Sequence, residues 1–262
     1  MATIAQLRKG LAVTTVPDDV AKALLAGASP LWLSSDNAVQ LAEDLALCHP
    51  PLKRAEVRAR AVSGEDGWRL TVVAHDRNGL LADTAAILSA ADYSVRGASV
   101  ATWTELDLAL HAISVAGPAP SDEKLDELGG ALRKASSGTC PQQPFAPLGR
   151  AFVRRSGEAN GDAMISVVAP DQKGLLAAIC SWFAEQGTSI EAAWITGDAE
   201  ANDVFVVSGE VDVAALERRL TAGGHGGTIT EVAGDMFAQA RDLGEGLVRT
   251  GIDFAKGLFT RR

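Results

Sequence analysis

Two stretches of this sequence share one pattern: DRNGLLADTAAIL covers Asp76–Leu88, and DQKGLLAAICSWF covers Asp171–Phe183, ninety-five residues later. Each begins with Asp-x-x-Gly-Leu-Leu and continues with apolar residues at helical spacing. Each also follows a short apolar run, RLTVVAH in the first case and MISVVAP in the second. The sequence therefore predicts the same turn from a strand into a helix, made twice by an internal repeat.

The segments around the two turns also repeat in order. A predicted strand, RAEVRARAV or RAFVRR, opens each unit, and another apolar strand, SVRGASVAT or SIEAAWITG, follows each helix. A further strand and a charged helix close the unit. If the opening strand is set aside, each unit has the order βαββα and needs only a closing strand to become βαββαβ. After the second unit, the segment TITEV could supply that strand. We therefore predict an α+β fold with two ferredoxin-like βαββαβ units.

The remaining segments divide the chain further. Residues 17–49 read as helices that stop at Pro50 and Pro51, and a proline-rich stretch without periodicity separates the units. A long amphipathic helix, weakened by glycines, follows the second unit. The predicted division is an N-terminal helical segment at 1–53, a first unit at 54–135, a linker at 136–149, a second unit at 150–231 and a C-terminal helix at 232–262.

The composition excludes several classes of protein. Apolar residues make up 47% and charged residues 22% of the 262 positions, which is a globular balance. The net charge of −9 argues against a nucleic-acid partner, because phosphate binding requires a basic surface. Three cysteines without metal spacing predict a reducing, cytoplasmic setting, and no apolar run is long enough to span a membrane. No catalytic or metal-ligating set is recognisable, so we expect no enzyme activity, no cofactor and no metal.

The short strand, the Asp-x-x-Gly-Leu-Leu turn, the helix and the Ile/Val strand after it resemble the ACT domain, a small regulatory module that binds amino acids. The tandem pair is most similar to the C-terminal regulatory region of the bacterial PII uridylyltransferase/uridylyl-removing enzyme, which implies a role in bacterial nitrogen metabolism. The family commonly has proline before the glycine, whereas this chain has Asn78 and Lys173. The nucleotidyltransferase and phosphohydrolase motifs of that enzyme are missing, so the resemblance implies a sensor without its enzyme.

A ligand site at each turn follows from the chemistry of a free amino acid. Helix-start N–H groups suit a carboxylate, glycine lets the backbone come close, and aspartate can accept hydrogen bonds from an ammonium group. Asn78 can read a polar side chain, which favours glutamine or a similar amino acid. The predicted ligand-binding residues are Asp76, Asn78, Gly79, Leu80 and Leu81 at the first turn, Asp171, Lys173, Gly174, Leu175 and Leu176 at the second, and Val95 and Ile190 on strands of the same or the paired unit.

A structural interpretation of the same residues remains beside the functional one. Aspartate near a helix start is also a capping residue, and glycine there only relieves the turn. Of the two turns, the first is the better ligand candidate. We predict a non-catalytic regulatory protein that senses an amino acid and signals through a protein partner or a homodimer. The alternative is a structural adaptor with degenerate ACT units that bind no ligand.

Overall fold

The computed structural model describes residues 2–28, 30–64, 67–135, 145–159, 161–197 and 199–221. At its centre lies one eight-stranded sheet in which all neighbouring strands are antiparallel. The strands are β1 (Val57–Ser63), β2 (Gly67–Ala74), β3 (Val95–Trp103), β4 (Leu108–Ala116), β5 (Phe152–Ala159), β6 (Asp162–Pro170), β7 (Ile190–Thr196) and β8 (Glu200–Val207). Their spatial order is β1-β2-β4-β3-β7-β8-β6-β5.

Eight α-helices flank this sheet within the described residues. They are α1 (Ile4–Leu11), α2 (Asp18–Ala26), α3 (Pro30–Ser34), α4 (Ala38–Ala46), α5 (Leu80–Ala90), α6 (Asp122–Ala135), α7 (Leu175–Glu185) and α8 (Val213–Thr221). We call β1 to α6 the first half and β5 to α8 the second half. Each half therefore has the element order ββαββα, and the protein belongs to the α+β class.

This order differs from the predicted βαββαβ at the start of each unit, where an additional strand comes first, and after α6 in the first unit. The opening strands β1 and β5 pair with β2 and β6, and they form the two edges of the sheet. A short hairpin loop loses little entropy on closure, so an opening strand can take the edge position beside its neighbour. The described residues after α6, at 145–151, contain no further strand. The predicted strand TITEV and the predicted C-terminal helix lie outside the described residues.

Strands β3 and β7 join the two halves into one sheet. Their antiparallel register pairs Ser99 with Trp194, two positions that are separated by the repeat length of ninety-five residues. Equivalent positions that pair with each other must lie on a pseudo-twofold axis. The seam between the halves therefore brings the turn of each half close to the central helix of the other, and α5 packs against α7.

The two faces of the sheet are covered differently. One continuous apolar core lies between the sheet and α5 to α8, and it contains residues of both halves. A second core lies on the opposite face of the first half, where α1 to α4 pack against Val73, Ala101 and Leu110. Because β2 is buried on both faces, its sequence is an almost continuous apolar run rather than an alternating one.

Candidate functional site

Both Asp-x-x-Gly turns have the same backbone conformation. Gly79 precedes α5 with φ 80°, and Gly174 precedes α7 with φ 87°. Glycine adopts this left-handed conformation without the steric cost that a Cβ would cause. The glycine itself occupies the N-cap position of each helix, so the aspartates three residues earlier do not stand at the capping position.

The first turn, Asp76–Gly79, lies against the end of α7 in the second half. Asn78 does not point freely towards a ligand, because its Nδ2 donates a hydrogen bond to the Ala184 carbonyl over 2.9 Å. Asp76 is half-buried, and burial is the main reason why its pKa is raised, with Glu191 contributing the next largest effect. The hydrogen bond of Asn78 therefore holds the first turn against the end of α7.

The first-turn pocket, which lies between this turn, β3 and Ile190, is almost closed at a volume of about 20 Å³. Arg77 is one of the lining residues, and its guanidinium pairs with the Asp83 carboxylate and donates to the Asn78 carbonyl over 3.2 Å. The site that the sequence favoured therefore has almost no free volume.

The second turn, Asp171–Gly174, borders a much larger space. Gln172, which takes the place of Arg77 in the repeat, lines this space and donates from Nε2 to the Ala146 carbonyl over 2.7 Å. Lys173, also in the lining, pairs with Asp92 of the first half. The second-turn cavity has a volume of about 250 Å³. That is slightly smaller than the pockets of drug-sized ligands and suits a small metabolite.

The predicted ligand residues divide between the two spaces. Each space is lined by one strand residue of the opposite half, because the two halves meet at β3 and β7. Val95 lies beside the second turn, and Ile190 lies beside the first. The first-turn pocket is lined by Asp76, Asn78, Gly79, Leu80, Leu81 and Ile190, and the second-turn cavity by Asp171, Lys173, Gly174, Leu175, Leu176 and Val95. The structure thus brings these residues together in two groups.

Asp171 enters the second-turn cavity because Gly197 leaves room for it. A Cβ at position 197 would lie 2.6 Å from Oδ2 of Asp171, which is closer than atoms can approach. The equivalent residue of the first half is Thr102, which lines the first-turn pocket. The exchange of threonine for glycine is one reason why the two spaces differ in size.

Asp203 is a lining residue of the cavity that the sequence reasoning missed. It lies on β8 with 2% of its surface exposed, and its Oδ1 accepts a hydrogen bond from the Thr196 N–H over 3.3 Å. Burial, together with the nearby Asp171, raises the pKa of this carboxyl to about 8. In the sequence, Asp203 alternates with the apolar residues Ala201 and Phe205. This spacing places its carboxylate on the buried face of β8 and could have identified it.

The residue equivalent to Asp203 in the first half is His111. Val72 pairs with His111 and Val167 pairs with Asp203, and the two valines are ninety-five residues apart. His111 is buried beside Thr84 Oγ1, at 3.3 Å from its Nδ1. Burial and then the Arg77 charge lower its pKa to about 4, so the imidazole is neutral. The two spaces therefore differ in chemistry as well as in volume.

Other chemical groups in the described residues indicate no further site. No group of three or more His, Cys, Asp or Glu side chains within the described ranges is arranged to hold a metal ion. Cys180, at the edge of the first-turn pocket, is buried, and burial raises the pKa of its thiol well above the usual value. None of the helices described in the structure is long and apolar enough to cross a membrane.

Comparisons with known proteins provide limited information. No family model and no curated protein sequence matches this chain. Among solved structures, the crystal structure of aspartate kinase from Synechocystis aligns with 59% of this chain and 26% of its own, at 13% identity and a TM-score of 0.35. The chain thus spans about a quarter of that enzyme's length. A similarity at this level establishes neither a common fold nor a common function.

Proposed function

We propose that this protein is a non-catalytic regulator that binds a small polar metabolite, an amino acid such as glutamine, in the second-turn cavity. The observation that carries the proposal is the cavity itself, which lies at the seam between two repeated halves. The backbone N–H groups at the start of α7 suit a carboxylate, and the carboxylates of Asp171 and Asp203 suit an ammonium group.

A ligand in this cavity would contact both halves of the chain. Ser89 and Val95 come from the first half, whereas Gly174, Thr196 and Asp203 come from the second. Such a ligand stabilises one relative arrangement of the halves to the extent that it binds that arrangement better. In this proposal the signal is then passed to a protein partner or to a second copy of the chain.

We further propose that each half is an ACT unit with a relocated edge strand. In a βαββαβ unit the closing strand lies beside the opening one. Here β1 lies beside β2, and β5 lies beside β6, at the place where the closing strands would lie. The similarity to the regulatory region of the PII uridylyltransferase, and with it a place in bacterial nitrogen metabolism, belongs to the same proposal. The buried free thiols of Cys48 and Cys180 support a cytoplasmic location.

A structural adaptor is the second candidate function, and one observation favours it. The first-turn pocket has a volume of only about 20 Å³, and Arg77 in its lining pairs with Asp83, so one of the two repeated sites is almost closed. A protein in which the second site had also lost its ligand would use the seam only for packing. The two candidates differ in whether any amino acid binds the second-turn cavity.

The test is a thermal-shift screen of the full chain with the twenty amino acids, each at millimolar concentration. A ligand at about one hundred times its dissociation constant adds about 2.7 kcal/mol of stability, which raises the melting temperature by roughly 5–10 °C. We expect a polar amino acid to produce this shift. A screen without any shift would contradict the sensor and favour the adaptor.

A matched pair of variants locates the binding site. Gln172→Arg with Ala178→Asp copies the Arg77–Asp83 pair into the second-turn cavity, and we expect it to abolish the ligand-induced shift. Arg77→Gln with Asp83→Ala makes the reverse change in the first-turn pocket and serves as the control, with the shift retained. Loss of the shift in the control alone would place the ligand at the first turn instead.

A further inference from the structure

We propose that Asp203 binds the amino group of the ligand, so that the second-turn cavity selects compounds with a protonated primary amine. This inference rests on the function proposed above and specifies the ligand chemistry of the same site. It assigns a role to a buried carboxyl that pairs with no cation among the residues that the structure describes.

The first argument is the incomplete pairing of Asp203. Its Oδ1 accepts one hydrogen bond, from Thr196 N–H, whereas Oδ2 accepts none from the part of the chain that the structure describes. The residue is 2% exposed and lines the cavity. Unlike the fully buried, unpartnered side-chain atoms of the described residues, Oδ2 keeps some accessible surface where Asp203 lines the cavity, so a donor on a ligand can reach it. An ammonium group can donate up to three hydrogen bonds and carries the opposite charge.

The second argument is the charge of the surroundings. The titratable groups that face Asp203 are Asp171 at the turn and Cys180 on α7, and neither brings a positive charge. Lys173, at the rim of the cavity, is paired with Asp92. Burial is the main reason why the pKa of Asp203 is raised, and repulsion from the Asp171 carboxylate adds to it. A ligand ammonium between them would relieve this repulsion.

The protonation of Asp203 makes the proposal measurable. Its pKa of about 8 means that the carboxyl of the empty cavity carries a proton at pH 7. When an ammonium group binds, the carboxylate is stabilised, the carboxyl proton passes to the solvent and an ion pair remains. Binding should therefore release up to one proton. Affinity for an amino acid should rise by up to tenfold per pH unit between about pH 6 and pH 8.

The experiment is isothermal titration calorimetry on the full chain. Each amino acid that shifts the melting temperature is titrated beside its deaminated acid, in which a hydrogen atom replaces the amino group without added bulk. Titrations at pH 7 in phosphate and in Tris count the protons released. The variants are Asp203→Asn, which keeps the shape of the side chain, and His111→Asn, which makes the matched change at the equivalent position of the first half.

We expect the deaminated acid to bind wild-type protein at least tenfold more weakly than the amino acid. We expect Asp203→Asn to bind the amino acid at least tenfold more weakly and without proton release, whereas His111→Asn retains both. Equal binding of the deaminated acid, or full binding with proton release by Asp203→Asn, would overturn this inference while the sensor function stood. If no amino acid binds the wild-type chain, the sensor function itself fails, and the inference fails with it.

Discussion

At the scale of single residues, one pair of equivalent positions separates the two halves chemically. His111 on β4 and Asp203 on β8 are both 2% exposed. Burial favours the uncharged form of each group, and it therefore moves their pKa values in opposite directions, to about 4 for His111 and about 8 for Asp203. The stability of the protein should respond to each group in a different range of pH.

The carboxyl of Asp203 predicts a loss of stability as the pH rises towards 8. The folded state keeps its proton up to about pH 8, whereas the unfolded chain releases it near pH 3.8. The contribution is complete below pH 3.8 and is lost as the pH rises through 8, with a slope of at most about 1.4 kcal/mol per pH unit. Urea unfolding of wild type and Asp203→Asn without ligand, between pH 6.5 and 8, should show the steeper decline in wild type. Parallel curves would contradict the prediction.

The imidazole of His111 predicts a loss of stability on the acid side. The unfolded chain binds a proton near pH 6.5, whereas the folded state resists protonation down to about pH 4. This contribution is complete above pH 6.5 and falls as the pH drops towards 4, again by at most about 1.4 kcal/mol per pH unit. In urea unfolding between pH 6.5 and pH 4, the His111→Asn variant should lack this pH-dependent contribution to stability. His75→Asn, at an exposed strand end, is the control and should keep the wild-type slope attributed to His111.

At the scale of elements, a buried carboxylate attaches the N-terminal helices to the sheet. Asp44 on α4 is fully buried and accepts hydrogen bonds from Thr71 Oγ1 at 2.8 Å and from Gln40 Nε2 at 3.2 Å. It also pairs with Arg69 and with Arg60, the latter at 3.3 Å. Arg60, Arg69 and Thr71 lie on β1 and β2, so this carboxylate adds polar contacts between α4 and the sheet to the apolar packing of the N-terminal helices.

Replacing Asp44 should weaken the whole protein. We expect Asp44→Ala to lower the free energy of unfolding by about 3–5 kcal/mol, because it leaves two arginines without their buried partner. Glu43 lies on the same helix as Asp44, and its ion pair with Arg60 of β1 is more exposed. Glu43→Ala should therefore lower the free energy of unfolding by less than about 1 kcal/mol. Urea unfolding followed by circular dichroism measures both. Equal effects of the two changes would mean that burial of the carboxylate is not decisive.

At the scale of the whole molecule, the two halves form one cooperative structure. The sheet is continuous across β3 and β7, and the core beneath it contains Ile87 and Leu88 from one half and Ile179 and Phe183 from the other. Neither half can open without exposing apolar surface of the other. Such a core favours a single unfolding transition over two.

Calorimetry should therefore find one thermal transition for the intact chain, with a calorimetric enthalpy close to the van't Hoff enthalpy. Hydrogen exchange provides the second measurement: amides of β2 and of β6 should open with the same free energy, because both report global unfolding. Two separate transitions, or a β6 that exchanges much faster than β2, would contradict this cooperativity.

Several features of the fold were predictable from short stretches of sequence. The two Asp-x-x-Gly turns, the helices that follow them and the apolar strands on either side depend on residues that are neighbours in the chain. The same reasoning placed its helices at 17–49 within the helical segment 1–53, so it gave no separate helix for α1, although Thr3 and Gln6 form a capping box there. It also left the edge positions of β1 and β5 open, because strand order depends on pairing across the sheet.

The sequence by itself determined the repeat and the turn at each helix start, because local backbone preferences and periodicity depend on adjacent residues. Only the tertiary structure decided which turn has a cavity. Arg77, beside the nearly closed pocket, pairs with Asp83, whereas Gln172, beside the larger cavity, donates to the Ala146 carbonyl, and these partners depend on the fold. The burial of Asp203 likewise depends on strands and helices from both halves, which the fold alone brings together.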